Sequence, residues 1–272
     1  MQLGGDLLLV GCGKMGGALL KGWLERGVAP GSVTVVEPSA ELRGAVEALG
    51  AQAHPAIEAL GEGFAPAFVV FAVKPQQMTA VLPACRSLGR PGSAFLSIAA
   101  GTTIATFEAQ LGTESAVIRV MPNTPAAVGR GMSVLCANVR ASDAQKTLAG
   151  ELMAAVGEVA WIEDEALMDA VTAVSGSGPA YVFLLIECLA EAGVEAGLSP
   201  ELAAQLARAT VSGAGELARL SEEPAAQLRR NVTSPGGTTE AALEVLMAQD
   251  GLQPLLTRAV AAAAKRGREL DG

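Results

Sequence analysis

The chain has 272 residues, of which 50% are hydrophobic and 17% are charged, so one large or two moderate domains fit its length and disorder is excluded. Its formal net charge is −9 at pH 7, which would repel a phosphate backbone, and we expect no nucleic-acid partner. The four cysteines lie far apart in the sequence: Cys12, Cys85, Cys136 and Cys188. Neither a disulfide framework nor a zinc site is indicated, so we expect a cytoplasmic protein without a bound metal.

No targeting or membrane segment is predicted. Residues 1–5 lack the basic n-region that is typical of a signal peptide. The best apolar stretch follows Tyr181, but Glu187 and Glu191 interrupt it before it reaches the roughly 18 residues that a membrane-spanning helix needs. We therefore expect no membrane partner.

Short apolar runs alternate with helical stretches over the first half of the chain. We predict strands over 6–11, 32–37, 67–73, 93–98 and 116–120, helices over 15–26 and 40–49, and helical candidates between the later strands. The strands are continuous runs of apolar residues, which is typical of a parallel sheet covered by helices on both faces. Two more strands, 131–137 and 158–163, are predicted to extend the sheet at one edge.

Strand signals end near residue 163, and only helical segments follow. We predict helices over 170–174, 179–193, 200–220, 240–249 and 255–270. This change marks a domain boundary between residues 163 and 164. The second domain is rich in alanine and poor in charge, so its helices must bury their faces either against one another or in a dimer interface.

A glycine-rich loop joins the first predicted strand to the first predicted helix. Its pattern is G-x-G-x-x-G, formed by Gly11, Cys12, Gly13, Lys14, Met15 and Gly16. In this position the glycines permit a tight turn, a close approach of a diphosphate and close packing of helix on strand. The loop predicts a dinucleotide-binding domain over 1–163, of the Rossmann type, with a doubly wound and mostly parallel sheet.

An acidic residue, Glu37, ends the second predicted strand, 21 positions after Gly16. A carboxylate at this place accepts hydrogen bonds from a ribose diol and repels a 2′-phosphate, which favours NADH over NADPH. Lys14 and Arg43 are nearby cations that would accommodate the phosphate, so NADPH stays open. The alternative is that Glu37 is a solvated charge at the end of a strand.

Three further loops follow predicted parallel strands, whose carboxyl ends line the ligand crevice in open α/β sheets. We assign cofactor contacts to the residues at these ends: Ala72, Val73, Lys74, Pro75, Ala100, Gly101 and Asn123. The amide of Asn123 is predicted to orient a nicotinamide, with an ordinary loop as the alternative. Pro75 is also suited to the first position of a helix.

The segment 234–239, Ser-Pro-Gly-Gly-Thr-Thr, precedes a predicted helix. Its glycines let a ligand approach the backbone, and the free N–H groups of the helix make an anion site without a basic residue. A second glycine-rich segment, 175–179, leads into another helix, where capping alone is a sufficient explanation.

Over nearly its whole length the chain resembles the pyrroline-5-carboxylate reductase family. The matching stretches are GCGKMGGALLKGW, FAVKPQQ, RVMPNTPAAVGRGMSVL, VTAVSGSGPAYVFLLIECLAEAGVEAGL and NVTSPGGTTEAALEVL. The resemblance implies hydride transfer from NADPH or NADH to the C=N carbon of L-1-pyrroline-5-carboxylate, giving L-proline. It also implies a helical substrate and dimerisation domain over 164–272, a homodimer, and in some members a decamer.

The resemblance further implies roles for single residues. The substrate carboxylate is held by Ser234, Gly237 and Thr238, and Thr239 is the catalytic-site residue that hydrogen-bonds the ring nitrogen. Lys14 and Glu37 depart from what many members carry, which bears on cofactor preference and not on the reaction.

The chain has few side chains that could donate a proton to the substrate, which agrees with an imine as substrate. Reduction of a ketone needs a donor such as Lys, His or Tyr. No lysine occurs between residues 147 and 264, and the only histidine and tyrosine are His54 and Tyr181. A cyclic imine can instead be protonated before it binds, so the site must mainly orient the ring and the nicotinamide. A 2-hydroxyacid dehydrogenase is disfavoured; another imine reductase and a non-catalytic dinucleotide-binding protein remain as alternatives.

Overall fold

The computed structural model describes residues 5–61, 63–90 and 92–270. These residues form two compact units. The first takes in the described residues up to Gly176 and from Ala264 onward, and the second is Ser177–Ala263. The functional division between residues 163 and 164 stays a prediction.

An eight-stranded sheet forms the centre of the first unit. Its strands are β1 (Leu7–Val10), β2 (Val33–Val36), β3 (Gln52–His54), β4 (Phe68–Phe71), β5 (Ala94–Ser97), β6 (Ala116–Met121), β7 (Gly131–Ala137) and β8 (Gly157–Trp161). Their order is β3-β2-β1-β4-β5-β6-β7-β8, and only the pairing of β6 with β7 is antiparallel. The predicted mostly parallel sheet and its extension at one edge are confirmed.

The strands are mostly apolar, and both faces of the sheet are covered. Leu7 and Leu9 pack in the core on one face, together with Trp23. Leu8 and Val10 pack in the core on the other face. All four residues of β1 are at most 2% exposed. A strand buried on both faces shows no polar alternation, which is why a continuous apolar run predicts a doubly wound sheet.

Eleven α-helices are found in the part of the chain that the structure describes. They are α1 (Lys14–Glu25), α2 (Ala40–Ala48), α3 (Pro75–Cys85), α4 (Ile104–Leu111), α5 (Asp143–Ala154), α6 (Met168–Val171), α7 (Gly178–Glu195), α8 (Pro200–Leu220), α9 (Ala225–Asn231), α10 (Thr238–Leu246) and α11 (Leu252–Leu270).

Two helical predictions need correction. The helix predicted over 170–174 is α6, which ends at Val171 because the chain widens into a π-helical turn over Thr172–Gly176. The short helix α9 was not predicted, since seven residues are too few to show a helical period.

The position of the ligand crevice follows from the strand order. The chain leaves β1 in one direction to form β2 and β3, and in the other to form β4, β5 and β6. Strands β1 and β4 are parallel neighbours, with Val10 opposite Phe71 at their carboxyl ends. The point where the strand order reverses is where open α/β sheets bind their ligands.

In the second unit, α7 and α8 pack closely at a glycine. A Cβ atom built on Gly193 would lie 3.2 Å from the Cβ of Ala203, so the absence of a side chain at Gly193 leaves room for the methyl group of Ala203. Four consecutive apolar residues of α7 are nevertheless 44% to 57% exposed in the single chain: Val182, Phe183, Leu184 and Leu185. An apolar surface of this kind is typical of an interface.

One helical stretch, Glu165–Glu195, is long and apolar enough to span a membrane by length and composition alone. Only 6% of an 18-residue apolar part of this stretch is buried within the chain. The expectation that no segment is long and apolar enough was wrong. It rested on apolar runs without a charged residue, and Glu187 and Glu191 end such a run. Length and composition do not distinguish a lipid-facing surface from one that another protein covers.

Candidate active site

The glycine loop packs directly against the end of β4. Gly11 has a φ of +92°, which favours glycine, and a Cβ atom built there would lie 2.9 Å from the backbone oxygen of Ala72. A Cβ atom on Gly16 would collide with the backbone oxygen of Gly11. Glycine at these two positions therefore lets α1 start close to the ends of β1 and β4.

The start of α1 is open for an anion. Gly13 is its N-cap residue and provides no side chain to cap it, and a Cβ built on Gly13 would meet nothing within 4 Å apart from its chain neighbours. The first backbone N–H groups of a helix have no acceptor within the helix. Lys14 is exposed beside them, and Met15 is half-buried. Open space in front of free N–H groups fits the diphosphate of a dinucleotide.

Glu37 faces the glycine loop instead of the solvent. One carboxylate oxygen, Oε2, accepts the backbone N–H of Cys12 at 2.8 Å, and Oε1 accepts the N–H of Ser39 at 2.9 Å. The residue is only 8% exposed, so the alternative of a solvated strand-end charge was wrong. Each oxygen keeps a second lone pair, so Glu37 is still able to accept a ribose hydroxyl.

Arg43 lies at the same strand end, as the sequence suggested. Its Nη1 donates to the backbone oxygens of Glu37 and Pro38, at 2.8 and 2.7 Å. These bonds hold the guanidinium beside the loop that follows β2.

The thiol of Cys12 is kept in its neutral form. Burial, and then the negative charge of Glu37, raise the pKa of Cys12 to about 11. Because the thiolate is the reactive form of cysteine, this environment favours a packing role over a redox role.

The other predicted cofactor residues lie at the same edge of the sheet. Ala72 and Val73 are half-buried after β4, and Pro75 is the first residue of α3. The backbone N–H of Lys74 donates to the Gln77 side chain at 3.3 Å. After β5, Ala100 is exposed and Gly101 has a φ of +69°.

The side chain of Asn123 is occupied by bonds within the protein. Its Oδ1 accepts the N–H of Met132 at 2.8 Å, and its Nδ2 donates to the backbone oxygen and the hydroxyl of Ser175, at 3.2 and 3.3 Å. Asn123 therefore ties the loop after β6 to β7 and to the π-helical turn. Its contact with a nicotinamide stays a prediction, and so does the alternative of an ordinary loop residue.

In the second unit, segment 234–239 is a turn that ends in a helix. The N–H of Gly237 donates to the backbone oxygen of Ser234 at 3.0 Å, and α10 starts at Thr238. Gly236 has a φ of +69°, and a Cβ atom on Gly237 would lie 2.9 Å from Oγ of Ser234. The turn thus brings Ser234, Gly237 and Thr238 together at an uncapped helix start.

Thr239 is the second residue of α10 and is half-buried, whereas Thr238 is exposed. Both belong to the first helical turn, where N–H groups point out of the helix. The turn also contains a bond that the sequence reasoning missed, from the N–H of Gly236 to Oε2 of Glu240 at 2.7 Å.

Glu240 and Ser175 were not predicted as functional residues, and the sequence contains a signal only for Glu240. Glu240 is the third residue of α10, the position at which an acidic side chain commonly reaches back to the preceding turn. Ser175 gave no signal, because its bond with Asn123 joins positions 52 residues apart. At the second glycine-rich segment, Ser177 makes no side-chain capping bond to α7, so capping does not explain that segment.

Comparisons with known proteins match both parts of the chain. The family described as "Pyrroline-5-carboxylate reductase dimerisation" matches residues 165–270, and the family described as "NADP oxidoreductase coenzyme F420-dependent" matches residues 7–101. A pyrroline-5-carboxylate reductase of Pseudomonas aeruginosa is 44% identical over 265 residues, which cover 97% of this chain and 96% of that protein. The chain belongs to the pyrroline-5-carboxylate reductase family.

Solved structures of the family have the same fold. The pyrroline-5-carboxylate reductase of Coxiella burnetii matches with a TM-score of 0.92 and 36% identity, over 98% of this chain and 99% of that one. A Plasmodium falciparum pyrroline carboxylate reductase with NADP bound matches with a TM-score of 0.83 and 31% identity, over the whole of both chains.

As a pyrroline-5-carboxylate reductase, the chain transfers a hydride from NAD(P)H to L-1-pyrroline-5-carboxylate and forms L-proline, the last step of proline biosynthesis. Its helical region self-associates. Membership of this family decides against the three alternatives: a 2-hydroxyacid dehydrogenase, another imine reductase and a non-catalytic dinucleotide-binding protein.

Proposed function

We propose that two uncapped helix starts hold the two anions of this reaction. The observation that carries the proposal is that α1 and α10 both begin behind a glycine without a side-chain cap, at Gly13 and Gly237. Free N–H groups and the positive end of the helix dipole attract an anion at each place. The loop 11–16 takes the dinucleotide diphosphate, and the turn 234–239 takes the substrate carboxylate.

The turn supplies different groups to the carboxylate. The Ser234 hydroxyl and the N–H of Thr238 bind it, while Gly237 acts by its lack of a side chain, since its N–H already donates to Ser234. No basic side chain is needed, because backbone N–H groups give the site its positive potential.

Thr239 orients the substrate ring in this proposal. The nicotinamide supplies the hydride, which adds to the C=N carbon. The hydroxyl oxygen of Thr239 accepts the N–H of the protonated imine, whose nitrogen keeps its proton and becomes the amine of proline. The chain therefore supplies no net proton, in keeping with the absence of lysine between residues 147 and 264.

We propose that NADH is the preferred cofactor. Glu37 holds a carboxylate where the adenosine ribose is expected, and a 2′-phosphate would meet its charge. The competing feature is the pair of cations, Lys14 and Arg43, and a strong preference for NADPH would assign the phosphate to them. Contacts at Ala72, Val73, Lys74, Pro75, Ala100, Gly101 and Asn123 complete the proposed cofactor site.

We also propose which part of the chain binds each ligand and how the chain assembles. Residues 1–163 bind the dinucleotide, and residues 164–272 bind the substrate and form a homodimer; a decamer stays a prediction from the family resemblance. The stretch Glu165–Glu195 lies in the part matched by the dimerisation family, which favours a second copy over lipid as its partner. All four cysteines are free thiols, which suits the cytoplasm, and the net charge of −9 disfavours nucleic acid.

Steady-state kinetics test the roles of the turn. With 1-pyrroline-5-carboxylate as substrate, we expect Thr239→Val to lower kcat/KM about 10- to 150-fold, the loss of one hydrogen bond to a charged group. Thr257→Val on the exposed face of α11 is the matched control and should leave kcat/KM unchanged. Full kcat/KM in Thr239→Val would contradict the assigned role. A higher kcat/KM with NADPH than with NADH would contradict the cofactor proposal.

A further inference from the structure

The carboxylate of Glu240 closes the turn that precedes its own helix. Its Oε2 accepts the N–H of Gly236 at 2.7 Å, and both residues are exposed. Gly236 is the residue of the turn with a positive φ, +69°. The bond therefore acts on the one peptide of the turn that adopts a left-handed conformation.

This turn has few other means of holding its shape. Two consecutive glycines make its backbone costly to order, because glycine loses more conformational freedom than any other residue. The described bonds within it are those from Gly237 to Ser234 and from Gly236 to Glu240. The charged acceptor makes the second bond the stronger kind.

We propose that Glu240 is a positioning residue for the substrate carboxylate, an inference that rests on the proposed role of the turn 234–239. Glu240 holds the turn in the conformation in which the Ser234 hydroxyl and the N–H of Thr238 converge on one anion. Without it, the turn is ordered only when the substrate binds, and the ordering entropy weakens binding.

The negative charge of Glu240 weakens binding of the substrate carboxylate, whereas its hydrogen bond strengthens it. The charge lies beside a site for an anion, where like charges repel, whereas the hydrogen bond prepares the site. Substitution by glutamine separates the two effects, since the amide oxygen still accepts the N–H of Gly236 but carries no charge.

The test is the kinetics of purified full-length variants. We expect Glu240→Ala to raise the KM for 1-pyrroline-5-carboxylate and the inhibition constant of L-proline by about three- to tenfold, a cost typical of ordering a loop on binding. The KM for NADH should stay within about twofold, because ordering this turn is a cost of binding the substrate and not the cofactor. Glu240→Gln should bind the substrate at least as well as the unaltered enzyme.

Glu244→Ala is the matched control. Glu244 is an exposed glutamate one turn further along α10, so its removal changes the charge of the helix without touching the turn. If Glu240→Ala does not fold, Glu240→Asp replaces it, since it keeps the charge and shortens the side chain by one CH₂ group.

The outcomes separate this inference from the proposed function. A raised KM in Glu240→Ala that glutamine restores, with Glu244→Ala unchanged, supports the positioning role. An unchanged KM in Glu240→Ala, while Ser234→Ala raises it, overturns the positioning role alone. An equal rise in Glu240→Ala and Glu240→Gln also overturns it, because glutamine keeps an oxygen that accepts the N–H of Gly236 and would then have failed to restore binding. An unchanged KM in both Ser234→Ala and Thr238→Pro overturns the proposed function of the turn as well.

Discussion

The backbone N–H of Cys12 donates to Oε2 of Glu37 at 2.8 Å, which joins the glycine loop to the end of the second strand. The residue assigned to the ribose thus also holds the loop assigned to the diphosphate. A change at Glu37 therefore acts on cofactor affinity in two ways, through charge and through the shape of the loop. Removal of the whole side chain would mix these effects, whereas glutamine keeps the length of the side chain and one acceptor oxygen, with the loss of one of the two bonds to Cys12 and Ser39.

We predict that Glu37→Gln shifts cofactor preference towards NADPH. Without the carboxylate charge, a 2′-phosphate meets less repulsion, and the ratio of kcat/KM for NADPH to that for NADH should rise about tenfold, or about 1.4 kcal/mol. Initial rates with both cofactors give this ratio. Glu47→Gln, at an exposed glutamate of α2, is the control. An unchanged ratio in Glu37→Gln would show that the 2′ group does not meet this side chain.

The parts of the molecule that the sequence predicts are local in the chain. The run Leu7–Val10 predicts a strand buried on both faces, and the glycine loop predicts the turn that follows it. Residues that are far apart in the chain but in contact in the fold give no such local pattern. Arg119 is a charged residue inside the predicted strand β6, is 2% exposed, and pairs with Glu165, 46 positions later, at 2.9 Å.

The same limit applies to the candidate site. The sequence identifies Glu37 and Asn123 as functional candidates because each follows a strand, but it does not indicate where their side chains point. Glu37 turns inward to Cys12, and Asn123 turns to Met132 and Ser175. Side-chain direction at a strand end depends on which backbone groups of other segments lack a partner, and a single sequence does not contain that information.

We predict that Asn123→Asp destabilises the protein. A carboxylate cannot donate to the backbone oxygen of Ser175, so it places a charged acceptor against that oxygen, and only the Ser175 hydroxyl is able to donate to it. Loss of such partly buried bonds costs about 1–3 kcal/mol of the free energy of unfolding. Urea unfolding at a fixed protein concentration measures this loss, with Thr124→Ala at the neighbouring exposed position as the control. Equal midpoints for Asn123→Asp and the unaltered protein would contradict the structural role of Asn123.

We predict that buried thiols lower stability at alkaline pH. Burial, and then the charge of Glu58, raise the pKa of Cys85 to about 12, whereas its ordinary value is 9.0. Above pH 9 the unfolded chain loses this proton and the folded chain keeps it, so the free energy of unfolding falls as pH rises towards 12. Below pH 9 the thiol contributes no pH dependence. Cys85→Ala should fall less steeply, by up to about 1.4 kcal/mol per pH unit. Parallel curves above pH 9 would contradict the raised pKa.

We predict that the exposed apolar face of α7 is needed for self-association. Phe183 is 57% exposed in the single chain, in the middle of four consecutive apolar residues. A charge buried at an interface without a partner is strongly unfavourable, so Phe183→Glu should dissociate the assembly and lower kcat/KM with it. Phe183→Leu keeps the surface apolar and should remain associated. Light scattering coupled to size-exclusion chromatography measures the mass of each variant. A Phe183→Glu protein with the mass of the unaltered assembly would place the interface elsewhere on the helical region.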